Sequence, residues 1–286
     1  MITMTKIFNV TKVSSSGYYD WKDRPLSARE QRAQDIKKRV VEVHRISQGT
    51  YGAPRVRACL RNEGVLVNPK TIGVYMQKMG LQGCTNRKFK RPNTIEIEPG
   101  SLFAERIFKT EDPQTHPKEP GTVWGGDMSV VETEEGNEYL SVQLDLFTHK
   151  CVGFAMTETL TTDDAWKAVN DALVREKRIL SKDAPPLVLH SDRGGQYSSH
   201  KYAKGLRELG ITQSMSRTAN CYDNAIVESF FHTLKAELVY QRKFKTRVEA
   251  REAIEHYIRN WYNPTRLHSS LGYMSPEEFE RQFQKR

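Results

Sequence analysis

The sequence predicts an α/β domain preceded by an all-α domain organised as a helix-turn-helix, and periodicity and charge both divide the 286 residues in the same way. Up to residue 91 apolar side chains recur at helical spacing between capping residues, whereas from Thr122 three consecutive strand-like runs give way to alternating helices and strands. Residues 1–91 hold 19 Lys and Arg against 6 Asp and Glu, and the remainder holds 25 against 29. Two domains of about 150 residues each are the ordinary expectation for this length, and a hydrophobic content of 37% suffices for their cores.

Residues 1–25, which include SSSGYYDW, are expected to form a small helical element, and the helix-turn-helix domain is expected over 26–91. Ser27 with Glu30 three residues later makes a capping box before Ile36, Val40 and Val43, which predicts a first helix over roughly 27–47. Pro54 opens a second through Val56 and Leu60, stopped by Gly64. Asn68 caps and Pro69 starts a third, with Ile72, Met76 and Met79 on one face before Gly80. Two short helices joined by a tight turn constitute the motif.

A strongly basic N-terminal third implies a polyanionic partner. A basic face that merely keeps the chain in solution is the plainer reading, and the motif favours double-stranded DNA over it. In that reading the third helix enters the major groove by its N-terminus. Lys70 and Thr71, with Val74 and Gln77, then meet base edges or phosphates, and Arg55, Arg57 and Arg61 of the second helix sit on the backbone.

Residues 92–121, rich in Pro, Gly and acids, read as a linker with one short regular piece around Leu102 to Phe108, either wrapped on the next domain or acting as a tether. A catalytic core is expected over 122–245 and a helical extension over 246–286. VWGGDMSVVE, EYLSVQLDLFTH and KCVGFAMTET are the three strand candidates. A helix over roughly Asp163 to Arg178, a strand from Leu187 to His190, a helix from Ser199 to Leu209 and a strand from Ile211 to Met215 follow. A helix carrying Glu228 begins near Asp223. Thr246 and Glu249 cap the next, whose apolar face is Ala253, Ile254, Tyr257, Ile258 and Trp261.

Three acids stand out against this frame. Asp127 interrupts an apolar strand where a carboxylate is costly without a cation, and Asp192 ends the run Leu187-Val188-Leu189 and opens a Gly194-Gly195 turn. Glu228 taken alone would be an ordinary helix-surface acid, and thirty-five residues separate it from Asp192. The three contexts, VWGGDMSVV, PLVLHSDRGGQY and NCYDNAIVES, together with this spacing, resemble the DDE transposase and retroviral integrase superfamily, and more closely the catalytic, second-frame protein of IS3-family insertion sequences. YGAPRVRACLRNEGVLVNPKTIGVYMQKMGL resembles the helix-turn-helix segment of that family, and WYNPTRLHSSLGYMSPEEF its C-terminal tail. The chain departs from the pattern in Met128-Ser129, where the family usually has Ile-Thr, and in the long linker.

The resemblance implies a ribonuclease H-like catalytic fold, a mixed five-stranded sheet with helices in which the first and fourth strands lie side by side and bring Asp127 next to Asp192. It implies that Asp127, Asp192 and Glu228 are catalytic and hold two Mg²⁺ or Mn²⁺ ions, set about 3.5–4 Å apart in such chemistry. A cation seven residues after the Glu is part of the pattern, and Lys235 occupies that position on the same helical face as Glu228 and His232. The implied activity is cleavage and joining of DNA strands at the terminal inverted repeats of the element and at target DNA, by a homo-oligomer on DNA, with the upstream-frame protein as a candidate partner. Asp145 and Asp223 match no ligand position, and His190 and His232 are not needed as bases.

The tail is expected to pack on the catalytic core through Trp261, Tyr262, Asn263, Leu271 and Pro276, with DNA contact by Arg266 or His268 as a lesser expectation. A nuclease that only hydrolyses and a DNA-binding regulator with a silent core are the rival readings; the first lacks strand joining, and the second is disfavoured by the presence of all three acids. No apolar run approaches the ~20 residues of a membrane span, and no signal-peptide core opens the chain, so a soluble, intracellular protein is expected; the resemblance implies a bacterial cytoplasmic, nucleoid-associated one. Cys59, Cys84, Cys151 and Cys221 form no CxxC pair, which argues against a zinc site and a disulfide framework.

Overall fold

Local signals set the boundaries of the elements, and pairing between distant segments sets their arrangement. The computed structural model describes residues 4–84, 107, 112–178, 186–216 and 224–285. The chain divides into two compact units, Met1–Gly83 and Cys84–Arg286.

In the first unit, α1 (Met4–Thr11) and α2 (Ser15–Asp23) precede α3 (Ala28–Ile46), which starts at the expected capping box. Glu30 donates its N–H to Ser27 Oγ at 3.3 Å, and its carboxylate accepts the Ser27 N–H at 2.9 Å. α4 (Ala53–Asn62) ends before Gly64, whose φ of +79° is the left-handed turn that favours glycine beyond a helix end. The Asn68 side chain accepts the Lys70 N–H at 2.9 Å to begin α5 (Pro69–Lys78). Val40, Val56, Leu60 and Ile72 are fully enclosed among these three helices. Burial of such side chains contributes about 1.5–3 kcal/mol each.

The second unit is built on one sheet. β1 (Val123–Thr133), β2 (Gly136–Asp145) and β3 (Cys151–Thr157) form an antiparallel meander. α6 (Thr162–Arg175), begun by a Thr161–Asp164 capping box, crosses back so that β4 (Val188–Ser191) adds in parallel to β1. The single turn α7 (Gly195–Ser198), α8 (His200–Glu208) and β5 (Thr212–Met215) follow, giving the order β3-β2-β1-β4-β5. This is the mixed five-stranded, ribonuclease H-like arrangement.

One face of the sheet packs Trp124, Val152, Leu189 and Met215 against Ala165, Val169 and Ala172 of α6 and Tyr202 and Leu206 of α8. The small side chains of α6 let it lie close. A Cβ placed on Gly153 of β3 would stand 2.4 Å from the Ala172 nitrogen, so glycine is required there by space.

α9 (Ala225–Glu237) carries Glu228, and Asp223 lies outside the described residues. α10 (Arg247–His256) runs into a wider π-helical turn, Tyr257–Tyr262, and α11 (Pro276–Gln284) closes the chain. The C-terminal segment packs on the sheet within the same unit. The Asn263 side chain accepts the Cys151 N–H and donates to the Cys151 carbonyl, both at 2.9 Å, and Lys150 reaches Glu176 and Glu280 at 3.0 Å each. Buried Glu138 on β2 is held by the forked guanidinium of Arg251. Of the linker, Ile107 donates its N–H to Ser214 Oγ at 2.9 Å and Gly121 donates to Asp145, so its described parts are fastened to the sheet. The regular piece expected around Leu102 to Phe108 otherwise lies outside the described residues. Among the described residues no helix is long and apolar enough to cross a membrane.

Candidate active site

Strand register builds the centre of the site. The last parallel partners of β1 and β4 are Gly126 and Ser191, so the next residue on each strand is an acid, Asp127 beside Asp192. Both are half-buried. Asp127 Oδ1 accepts the Met128 N–H at 2.7 Å and Asp192 Oδ1 accepts the Gly194 N–H at 2.9 Å, which orients each carboxylate from its own backbone. Burial raises both pKa values. At Asp127 the charge of Asp192 and then that of Glu228 push further in the same direction, against the Met128 N–H and Lys235. Two such carboxylates share their protons as a pair and do not both ionise comfortably without a cation.

α9 lies directly on this strand end because Gly125 leaves room for it. A Cβ at Gly125 would stand 2.6 Å from Leu146 Cδ2 and 2.7 Å from Val227 Cγ2. Asn224, immediately before the helix, donates from its side chain to the Gly126 carbonyl at 3.4 Å. Glu228 in the first turn and Lys235 in the last are both half-buried, and His232 between them is exposed. Burial lowers the Lys235 pKa, opposed by the charges of Asp127 and Glu132. Lys235 also lines a groove of about 370 Å³ with Glu132, Tyr240, Arg242 and Lys243.

The donor set is oxygen only, as hard divalent cations require. Among the described residues no three His, Cys, Asp or Glu side chains converge on one point, so Glu228 acts on Asp127 through its charge without closing a three-ligand cluster.

Other acids and histidines have structural work. Asp145 accepts hydrogen bonds from the N–H groups of Gly121, Phe147 and Thr148 and from the Thr148 hydroxyl, which fixes the β2–β3 turn. His190 is fully buried, with its ring nitrogens at 2.9 Å and 3.1 Å from the hydroxyls of Ser214 and Ser216, and so ties β4 to β5. Sequence reasoning missed Tyr197, which is enclosed on α7 just past Asp192. Burial raises its pKa, and the charges of Asp127 and Asp192 raise it further. An aromatic residue closing DRGGQY was the only signal for it. Gly125 was visible in the Gly-Gly pair, but its steric role depends on where α9 lands.

Arg266 requires a correction. DNA contact by it was the lesser of the two expectations for the tail, and its side chain is 5% exposed with its guanidinium held by Glu237, also in the interior at 4%. An arginine committed to a buried carboxylate has no donor to offer a phosphate outside. In the separate N-terminal unit, Lys70, Arg57 and Arg61 are exposed, Thr71 is half-buried, and half-buried Arg55 lies over the Tyr51 ring at 5.7 Å. Cys59, Cys84 and Cys151 are free thiols, and Cys221 lies outside the described residues.

Residues 117–221 and 209–276 match family models described as integrase core domain, and residues 31–89 match an HTH-like domain. The chain is 38% identical over 253 residues to the transposase for insertion sequence element IS904 of Lactococcus lactis subsp. lactis (strain IL1403), covering 86% of this chain and 93% of that protein. It is 36% identical over 273 residues to transposase InsF for insertion sequence IS3A of Escherichia coli (strain K12), covering 95% and 91%. Among solved structures it is similar to the HTLV-2 integrase catalytic core domain in complex with magnesium, at 14% identity and a TM-score of 0.43 over 57% of this chain and 98% of that one; a likeness of this size adds no weight to the relatives.

Proposed function

As this chain belongs to the IS3-family insertion-sequence transposases, within the DDE transposase and retroviral integrase superfamily, and is therefore a DNA transposase, we propose that it binds the terminal inverted repeats of its element and cleaves and joins DNA strands at Asp127, Asp192 and Glu228. The observation that carries this reading is the β1–β4 register, which sets two mutually repelling carboxylates side by side, one within β1 and one just past the end of β4. Two Mg²⁺ or Mn²⁺ ions held by the three acids would supply the positive charge that activates a water or a 3′-hydroxyl and stabilises the leaving oxygen.

The chain's own residues do the rest. Asp127 and Asp192 are held by strand and turn backbone, so they offer fixed ligands. Glu228, on a longer side chain in the first turn of α9, would supply the third carboxylate to the ions. Lys235, half-buried in the last turn of α9 and within reach of the Asp127 charge, holds a DNA phosphate at the centre. No side chain acts as nucleophile, and His190 is already engaged by two hydroxyls. The N-terminal unit recognises the repeat, with Lys70 and Thr71 toward base edges and Arg55, Arg57 and Arg61 on phosphates. Two ends must be held together, so the working form is a homo-oligomer on DNA; light scattering of the protein with end DNA tests this, and a monomer at saturating DNA overturns it.

The deciding experiment mixes the purified chain, Mg²⁺, target plasmid and a duplex oligonucleotide taken from the DNA flanking this gene and ending in a free 3′-hydroxyl. Covalently joined product is expected. Nicking without joining would point instead to a nuclease that only hydrolyses.

A further inference from the structure

A buried ion pair ties the last residue of the helix that carries Glu228 and Lys235 to the C-terminal tail. Arg266 donates from Nε to both oxygens of Glu237, at 3.0 and 2.9 Å, and from Nη2 to Oε1 at 2.8 Å. Tyr257 donates its hydroxyl to Glu237 Oε2 at 2.8 Å, and the Trp261 indole N–H reaches the same oxygen at 3.4 Å. Burial works against the Arg266 charge, but Glu237 more than offsets it, so the guanidinium stays charged. Both donors besides Arg266 come from the π-helical turn after α10, whose widened geometry aims Tyr257 and Trp261 at one carboxylate.

Glu237 is the last residue of α9, nine positions after Glu228, which at 3.6 residues per turn places it on the opposite side of the helix. The apolar contacts of α9, through Val227, Phe230, Phe231 and Leu234, are non-directional and permit small rotations and slides. A forked arginine–carboxylate pair is directional and does not. Resting on the reading that Glu228 and Lys235 act at the centre, we propose that Glu237 and Arg266 are positioning residues: their pair sets the rotation and axial register of α9 and so fixes where Glu228 and Lys235 stand against Asp127 and Asp192.

The test uses the full chain in the joining assay, titrated with Mg²⁺ in single turnover, with DNA binding and thermal melting measured alongside. Arg266→Lys keeps the charge but cannot make the fork. The double variant Glu237→Met, Arg266→Met replaces the pair by apolar groups of similar length, a change that buried pairs tolerate without loss of fold. Both variants are expected to bind the oligonucleotide as the parent does, to need several-fold more Mg²⁺ for half-maximal joining, and to join at least tenfold more slowly at saturating Mg²⁺. A role in stability alone would lower the melting temperature and leave the Mg²⁺ dependence and the rate per folded molecule unchanged, and that result overturns the proposal. If the parent itself fails to join, or Asp127→Asn joins normally, the active-site reading fails first. A parent that joins in an Mg²⁺-dependent way beside unaffected pair variants sinks the positioning role alone.

Discussion

Two charge pairs, one half-buried and one in the interior, lie on either side of α9, and they are opposites. Asp127, within β1, and Asp192, just past the end of the adjacent β4, are like charges, both pushed toward the protonated form. Glu237 and Arg266 are unlike charges, saturated by each other and by Tyr257 and Trp261. The first arrangement is unfavourable until something positive arrives, which is the condition of a functional site. The second needs nothing from outside. Burial of a charged group therefore says little by itself; whether its partners inside the chain balance it decides between function and structure.

The largest effect expected from breaking this contrast is on chemistry. Asp127→Asn, Asp192→Asn and Glu228→Gln should each reduce strand joining by orders of magnitude while oligonucleotide binding stays close to that of the parent. Normal joining in any of the three would remove that residue from the proposed set.

Stability should respond the other way round. Glu237→Ala or Arg266→Ala strands a buried charge, and a loss of about 3–5 kcal/mol is expected in urea unfolding. Asp127→Asn removes a repulsion and should leave stability unchanged or raised. Equal destabilisation by both kinds of change would erase the distinction.

A smaller effect separates the pairs by pH. Burial and like charge lift Asp127 from 3.8 to about 8 in the folded chain. A folded-state pKa above the unfolded one means that the folded protein binds more protons in between, so this contribution is present at low pH and is lost as pH rises from about 4 to about 8. Without added metal, stability measured by urea unfolding should decline over that window, and Asp127→Asn should flatten the decline. An unchanged slope in that variant would show that folding does not raise the Asp127 pKa, and would leave the shared proton of the pair on Asp192.

The smallest effect belongs to the N-terminal unit, which serves as the control for binding. Arg57→Ala should weaken DNA binding alike for all sequences and reduce the slope of log affinity against log salt by about one, whereas Lys70→Ala should reduce preference for the end sequence. Titrations at several salt concentrations measure both, and a Lys70 variant that loses affinity uniformly would place that lysine on a phosphate.

Much of the molecule is legible in its sequence. The caps Ser27 with Glu30, Asn68, and Thr246 with Glu249 stand where the helices begin, and the apolar stripes of α3, α4 and α5 turn their helical-period faces inside. Periods and caps are carried by residues a few positions apart, so a linear reading reaches them. Asp127 and Asp192 stand out as acids in costly surroundings, and their adjacency is expected only through the resemblance. The chain realises it by pairing β1 with β4 across the whole of α6.

Arg266 shows what the sequence by itself did not determine. The sequence left it in a tail expected mainly to pack on the core, with DNA contact as a lesser expectation, and only the tertiary structure sets it against Glu237, 29 residues earlier, in the interior. The same holds for Tyr197 behind the two acids and for the space that Gly125 leaves to α9. The sequence determined which segments are helix or strand, which faces are apolar and which acids are out of place, because those follow from local spacing. The tertiary structure decided which charges meet. That depends on strand order and helix docking, where each contact joins residues whose separation along the chain carries no signal of their nearness in space.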